Sequence, residues 1–403
     1  MLFVRFRTIE QGLFPIAITL KTTQIVAIAP LLVLWLGTGR WSKVAAATLI
    51  SFFPVLVNTV KGLKAPESDY QDLFRTMRAD QSQIFRKLRV PYCLPYFFSA
   101  LKISSSLAIV GAIVVSGGTE GILSPHATIF ARVPADGTVA ADKTNAPKRL
   151  AIGIAATRDF LPHEIGRAAQ IEATADAVKA AMLNAGIAGA DDVHWVQVKC
   201  PLLTAERVRA ARRDGHEPVT ESAYKSMAYS RGASALGVAV ALGEITAPIA
   251  DEAVLLDWSL SSGVASASAG IELLNNIVIV LGNSAEASGD SIISHAVMQD
   301  VIDAAAVWQA MHHATGHFGG AKPADASRIV NVLAKADPSP DGMLRGWRHI
   351  LLDDTDISAT RHARAAVGGV IAGITGCPAV FVSGGAEHQG PPGGGPVAVI
   401  LRI

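Results

Sequence analysis

Charge is scarce in this 403-residue chain. Asp, Glu, Lys and Arg make up 17% of it, and 35 basic against 34 acidic side chains leave a formal net charge of +1. That balance excludes a polybasic nucleic-acid binder as the first reading. Cysteine is almost absent: Cys93, Cys200 and Cys377 share no metal-like spacing, which argues against a zinc cluster and for a reducing compartment. A chain of this length has room for two or three domains and buries an ample core without a disulfide scaffold. No small-residue cleavage site follows a short apolar core near Met1, so a cleaved signal peptide is not expected. Histidine is missing altogether from residues 1–115.

That last absence marks a division. Residues 1–115 hold 13 Lys and Arg against 5 Asp and Glu, a net of +8. Residues 116–403 hold the other 22 and 29, a net of −7, with all 11 histidines and 31 of the 36 glycines. Asymmetry of this size between halves implies two environments, here membrane and water. Three apolar stretches, Thr22–Gly39, Val44–Val60 and Tyr92–Val115, approach the roughly 20 residues that cross a bilayer. The first two carry no charge, and the third has only Lys102 beside the serines at 104–106. The alternative for each is a buried core helix. Proline inside the first two is tolerable in lipid, where neighbouring helices satisfy the freed carbonyls. The polar segment Lys61–Arg89, with seven basic and four acidic residues, is expected on the cytoplasmic side.

DLFRTMRA (72–79) and IFRKLRVPYCLP (84–95) resemble the coupling loop of ABC-importer permeases. APLLVLWLGTGRWSK (29–43) and FFPVLVNTVKGL (52–63) resemble the sulfonate and pyrimidine-type branches of that family. Asp72 stands where the family usually has Glu, and Arg78 where it has Gly. The resemblance implies an all-α transmembrane segment of about three helices over 1–114, set in the inner membrane. It also implies an ATPase subunit as partner through the 61–95 loop. It covers about half a permease and ends near Val114, so transport by this chain alone is not expected.

After Val115, Gly-rich turns separate Val/Ile/Ala runs from Ala-rich helical runs, the alternation of α/β units. Self-similarity follows. SGGTE (116–120), SAGIE (268–272) and SGGAE (383–387) share the pattern Ser-small-Gly-x-Glu. The first and third follow Val/Ile runs that read as buried strands; the second follows the weaker GVASA. WVQVK (195–199) aligns with NVLAK (331–335), where period two sets the apolar residues on one strand face and the lysine on the other. SRGASALG (230–237) aligns with RHARAAVGG (361–369) as an arginine opening a small-residue helix. Lys199, Arg231 and Ser268 thus form one set and Lys335, Arg364 and Ser383 another, with Arg361 a rival to Arg364. Ser116 has its motif, but upstream of it lies membrane-like sequence in place of a Lys strand and an Arg helix.

A serine hydroxyl needs a base beside it to act as a nucleophile. Lysine serves when burial and nearby positive charge lower its pKa towards neutrality. An adjacent arginine supplies such charge and forks onto an acyl oxygen, while backbone N–H groups after the serine receive a developing oxyanion. These parts suit attack on a carbonyl carbon. Each also has a structural reading: the Ser-Gly-Gly a turn, the strand-end lysines solvated, the arginines helix-surface charges. Cys200, beside Lys199, is read as a small buried filler in preference to a nucleophile.

SGGTEGILSPH (116–126), HWVQVKCPLLT (194–204), SRGASALGVA (230–239) and SGGAEHQGPPGGGP (383–396) resemble the cyanuric acid hydrolase and barbiturase family of ring-opening amidohydrolases, over almost all of 116–403. The resemblance implies an α/β fold of three related α/β repeat units around a pseudo-threefold axis. The first is truncated to 115–145, the second spans 146–285 and the third 286–403. A flat cyclic imide would bind centrally, in a cytoplasmic homotetramer, with no nucleic acid involved. Ser268 is similar to the family nucleophile and Lys199 to its base. Ser116, Gly117, Arg231, Ser268, Ala269, Lys335, Arg364, Ser383 and Gly384 are similar to the ring-binding positions. Threefold repetition suits cyanuric acid better than barbiturate, which stays open. No organic cofactor is implied, but a structural Mg²⁺ or Ca²⁺ is. The loop 386–396 can turn carbonyls inward, as a hard cation needs, at Ala386, Gln389, Gly390, Pro391 and Gly394. Asp337 matches the family's acidic ligand, one methylene shorter. The competing reading is a permease component carrying an inactive hydrolase.

Overall fold

The structure, a computed structural model, describes residues 59, 63, 70, 74, 76, 77, 79–94, 112–115, 117–132, 147–315 and 327–403. The chain divides into two compact units, residues 1–114 with 129–134, and residues 115–128 with 135–403.

In the first unit, helix α1 (Gln81–Ile84) runs on as a wider turn over Phe85–Arg89. Asp80 and Gln83 cap its start reciprocally: Gln83 N–H donates to Asp80 Oδ1 at 2.6 Å, and Asp80 N–H to Gln83 Oε1 at 3.0 Å. Ile84, Leu88 and Cys93 are buried, while Arg86 and Lys87 are exposed. The expected coupling-loop segment is therefore a short amphipathic helix. The first two apolar stretches lie outside the described residues apart from Thr59. The end of the third departs from the expected helix. Ala112–Val115 is a strand, β1, paired with β2 (Thr128–Ala131), in keeping with its β-branched Ile-Val-Val. Among the described residues, no helix is long and apolar enough to cross a membrane.

The second unit repeats one order of elements. It begins with β3 (Arg149–Ala156), α2 (Ala168–Ala185), β4 (Val193–Pro201), α3 (Ala205–Arg213), α4 (Ala223–Leu242), β5 (Ala265–Gly270) and β6 (Ile277–Ser284). It continues with β7 (Ser291–Met298), α5 (Ala304–Thr315), β8 (Ile329–Ala336), the small hairpin β9 (Met343–Leu344) and β10 (Trp347–Arg348), α6 (Ala359–Thr375), β11 (Phe381–Gly384) and β12 (Gly395–Arg402). Strands β3-β6-β4-β5 make one four-stranded sheet and β7-β12-β8-β11 the other. In each, the pair ending at the sheet edge is parallel and the others antiparallel.

Each sheet buries one face under two helices. Val196, Val198, Val278 and Val280 pack against Val178 and Ala181 of α2 and Ala235 and Val238 of α4. Val332, Ala334, Val397 and Val399 pack in the same way against Val307 and Met311 of α5 and Val367 and Ile371 of α6. The sheets meet through Trp195 and Phe381, edge-on at 6.2 Å, and through Asn283 on β6. Its side chain donates to Ile293 O at 2.7 Å and accepts from Ile293 N–H at 3.0 Å.

His194 on β4 and His295 on β7 add a contact between the sheets, Nδ1 to Nδ1 at 2.9 Å. One ring donates and the other accepts, so the accepting ring must be neutral and the bond is lost once both are protonated. Burial first, then the neighbouring histidines, lowers each from 6.5 to about 4, with Asp192 opposing the shift at His194. A base whose folded pKa is depressed stabilises above its unfolded pKa and loses that stability as pH falls towards the folded one. Melting temperature should therefore fall between pH 6.5 and about 4. The loss is at most on the order of 3 kcal/mol per ring, and His194→Gln should flatten the dependence in a pH series of thermal melts.

Candidate active site

The parallel edge pairs bring the two expected sets together. In β4 and β5, Lys199 lies in register with Ser268; in β8 and β11, Lys335 lies in register with Ser383. In-register residues on neighbouring strands project to the same face. The last three residues of GVASA, the weakest strand signal, open β5.

Lys335 departs from the expectation of a solvated strand end: it is fully buried. Its Nζ donates to Ala267 O at 2.7 Å, Gly384 O at 3.0 Å and Ser383 Oγ at 3.1 Å. Burial, and then the charge of Arg231, lowers the amine from 10.5 to about 7, against the pull of Glu387 and Asp337. Lys199 is placed differently. It is 39% exposed, and its Nζ lies 3.5 Å from Glu272 Oε1. Cys200 is fully buried and burial raises its thiol, as a filler requires.

The arginines do not open their helices. Arg231 lies mid-way along α4, which starts at Ala223 behind the capping Ser222, whose side chain accepts from Lys225 N–H at 3.3 Å. Arg364 lies in the second turn of α6. Helix α4 begins earlier because Ser222 caps its first turn upstream of the aligned segment, while α6 follows Ser358, whose side chain makes no cap bond. A buried polar network fixes α4. Gln170 Nε2 donates to Ser230 Oγ at 2.9 Å and Ser234 Oγ at 3.1 Å, and Asn276 Nδ2 to Ser234 Oγ at 3.0 Å.

Each arginine is gripped by the glutamate of a serine motif, a role the sequence reading did not assign although Glu recurs in all three motifs. Glu387 takes Arg231 through two bonds, Nε to Oε2 at 2.7 Å and Nη2 to Oε1 at 2.5 Å. Glu120 accepts from Arg364 Nη2. Arg361 is 64% exposed and 3.8 Å from Glu120, so Arg364 is the structural counterpart of Arg231. The motif glycine follows from this grip. A Cβ on Gly385, already at φ +73°, would sit 2.8 Å from Arg231 Cζ, and one on Gly118 2.7 Å from Arg364 Nε.

Ser116 lies outside the described residues. Gly117 and Gly118 run beside β11, Gly118 N–H donating to Val382 O at 2.8 Å. Ala269 and Gly384 follow their serines, in register with Cys200 and Ala336. The Ala386 N–H favours the charged form of the Asp337 carboxyl. Burial, then the charge of Glu387, raises Asp337 from 3.8 to about 6. Ala386 O and Pro391 O accept turn bonds from Gln389 and Gly394 N–H at 2.9 Å each. Gln389 spends its side chain on Ala267 N–H and Gly385 O. Gly390 packs against Gly395, and Gly394 against Met298. Among the described residues, no three His, Cys, Asp or Glu side chains cluster as metal ligands.

The fold and site define an α/β protein carrying repeated Lys–Ser pairs at parallel sheet edges. Residues 97–402 match the family model described as amidohydrolase ring-opening protein, and the chain belongs to that family. Residues 2–141 match that of the binding-protein-dependent transport system inner membrane component, so both models claim 97–141. The cyanuric acid amidohydrolase of Bradyrhizobium diazoefficiens is 62% identical over 293 residues, 72% of this chain and 78% of the relative. That of Pseudomonas sp. strain ADP is 58% identical over 292 residues, again 72% and 78%. Barbiturase 1 of Nocardioides sp. is 48% identical over 294 residues, 72% and 79%. A solved cyanuric acid hydrolase superposes with TM-score 0.68 at 52% identity, covering 80% of this chain and 86% of the other. The cyanuric acid hydrolase of A. caulinodans gives 0.66 at 45%, with 77% and 85% covered.

The Arg231–Glu387 pair is mostly buried, at 16% and 13% exposure. Removing one partner of such a pair leaves the other's charge desolvated. Glu387→Ala should therefore lower stability by about 3 kcal/mol in denaturant titration.

Proposed function

We propose that the second unit opens the ring of a cyclic imide, cyanuric acid first, with Ser268 as nucleophile and Lys199 as base. The observation that carries this reading is the in-register placement of Lys199 beside Ser268 at a parallel sheet edge, in a chain whose relatives are cyanuric acid amidohydrolases. The rival pair, Lys335 and Ser383, has the burial and the neighbouring Arg231 charge that lower an amine, but its hydrogen bonds tie it in place. The amine of Lys335 already donates to three oxygens, which engages every hydrogen of an ammonium. Lys335 then holds Ser383 in place to receive the ring, and half-exposed Lys199 is left to move a proton.

Ser268 Oγ attacks a ring carbonyl carbon while the Lys199 amine takes the hydroxyl proton. The Arg231 and Arg364 guanidiniums and the N–H groups following the serines receive the negative oxygen. The C–N bond breaks as Lys199 returns the proton to the leaving ring nitrogen. Water then attacks the acyl-serine, freeing the hydroxyl and a carboxylated biuret, which loses carbon dioxide to give biuret. Barbiturate shares most of the ring's acceptors, and likeness to Barbiturase 1 keeps it as the second substrate. Purified chain should release biuret and carbon dioxide from cyanuric acid. Ser268→Ala or Lys199→Met should lower kcat by about 10²-fold or more. Full activity in both variants would overturn the assignment.

The same reading takes 115–145, 146–285 and 286–403 as three units about a pseudo-threefold axis, assembled as a homotetramer. It takes 1–114 as a permease-like inner-membrane segment of about three helices that meets an ATPase subunit through 61–95, the hydrolase part lying in the cytoplasm. Passage of the full chain into the membrane fraction supports that placement; recovery as a soluble tetramer opposes it.

A hard divalent cation suits the Asp337 loop, whose donors are all oxygen, with one carboxylate raised by burial and by Glu387. Asp337 and the carbonyls of Ala386, Gln389, Gly390, Pro391 and Gly394 would hold it, and it would supply neutralising charge and loop rigidity. Mg²⁺ or Ca²⁺ should raise the melting temperature, chelator should lower it, and Asp337→Asn should abolish the difference.

A further inference from the structure

The glutamate grips follow a cyclic order. The third serine motif holds the arginine of the second set, Glu387 on Arg231; the first motif holds the arginine of the third set, Glu120 on Arg364. The next step of that cycle assigns Glu272, in the second motif, to the arginine of the first set. Upstream of Ser116, however, the sequence has no counterpart of the arginine-bearing small-residue helix. Glu272 is nevertheless folded back over its motif glycine as Glu120 is, with its Cδ 2.6 Å from where a Gly270 Cβ would stand. The ion-pair partner recorded for it among the described residues is Lys199, at 3.5 Å.

We infer that Glu272 is a guanidinium clamp holding a lysine in its arginine's place, and that this capture draws the Lys199 amine away from Ser268. The inference rests on the reading of Lys199 as base. Two observations and one chemical argument carry it. The first is geometric: the Lys199–Glu272 contact is longer than the 2.5 and 2.7 Å of the matching Arg231–Glu387 grip, as expected of a substitute partner. A second is accessibility. Lys199 and Glu272 are 39% and 31% exposed, against 16% and 13% for Arg231 and Glu387, so a small cation in solution can reach the carboxylate. The third is chemistry: a planar guanidinium bonds a carboxylate through two parallel N–H groups where an ammonium bonds as a point charge. A small alkylguanidinium is therefore the ligand class this clamp takes, and its binding releases Lys199 to the serine beside it in the sheet. Glu272 is thus a positioning residue, acting on the reaction only through Lys199.

The test uses the full-length chain and reads acylation of Ser268 by mass spectrometry after a short pulse of p-nitrophenyl acetate. Millimolar methylguanidinium should accelerate acylation of the unsubstituted chain saturably, by about ten-fold, part of the ~10²–10⁴ that a positioned base supplies. Tetramethylammonium, which cannot donate paired hydrogen bonds, should not. Glu272→Gln should show the accelerated rate without added cation and no response to it, and adding Lys199→Met should remove the gain. No acceleration by methylguanidinium overturns the inference, and so does a gain in Glu272→Gln that survives Lys199→Met. Absence of acylation at Ser268 in every form overturns it together with the nucleophile reading. The expected acylation pattern without consumption of cyanuric acid upholds the inference and overturns only the substrate.

Discussion

Parallel, in-register pairing at the sheet edge is the constraint on which the rest of the site depends. Lys199 meets Ser268, and Lys335 meets Ser383, because β4–β5 and β8–β11 pair in the same register. A slip of one residue in either pair would turn the serine to the opposite face, since side chains alternate with period two. The register is held from behind: Val196, Val198, Ala265 and Ala267 are all fully buried under α2 and α4, so a slip would expose an apolar row to water. Packing on one face thus fixes chemistry on the other, and the two sheets solve the problem in the same way.

The three serine motifs, both Lys strands and both Arg helices were legible in the sequence because each is local and recurs. Their spacing predicted two Lys–Ser sets, and the registers bring those sets together. What sequence alone left out is what depends on distant partners. Period two gave no reason for Lys335 to be buried; its three acceptors come from β5 and β11, 48 to 68 residues away. The glutamates were visible as letters of the motif but not as grips, because Arg231 lies 156 residues from Glu387 and Arg364 lies 244 from Glu120. Those same contacts separate Arg364 from Arg361, a choice that gap placement could not make. Helix starts were missed for a smaller reason: alignment marks shared letters, and the capping Ser222 lies outside them.

The grips also explain why Ser-small-Gly-x-Glu is one unit. At Gly118 the glutamate two residues on folds back across the glycine and the Arg364 guanidinium lies against the same spot; at Gly385 the Arg231 guanidinium does. A side chain there would separate the charges, and a charge left alone in a mostly buried position is costly. Residue size and residue charge are therefore fixed together by one contact, which a turn with no further role would not require.

Repeats of this kind do not behave as independent beads. In a solenoid each repeat contacts its neighbours through apolar faces and terminal repeats are merely capped. Here the arginine of one set is held by the carboxylate of another, and the Lys335 amine reaches across from the third set to the carbonyl preceding Ser268. Charge is thus shared around the site, and a change in one set is felt in the others. Altering the first set leaves Ser116 in its motif and Glu120 on Arg364, yet removes what Glu272 is shaped to hold. The consequence falls on the second set, because Lys199 lies within ion-pair distance of Glu272. A site assembled by exchange between repeats carries the loss of a segment to the residues that the segment would have freed.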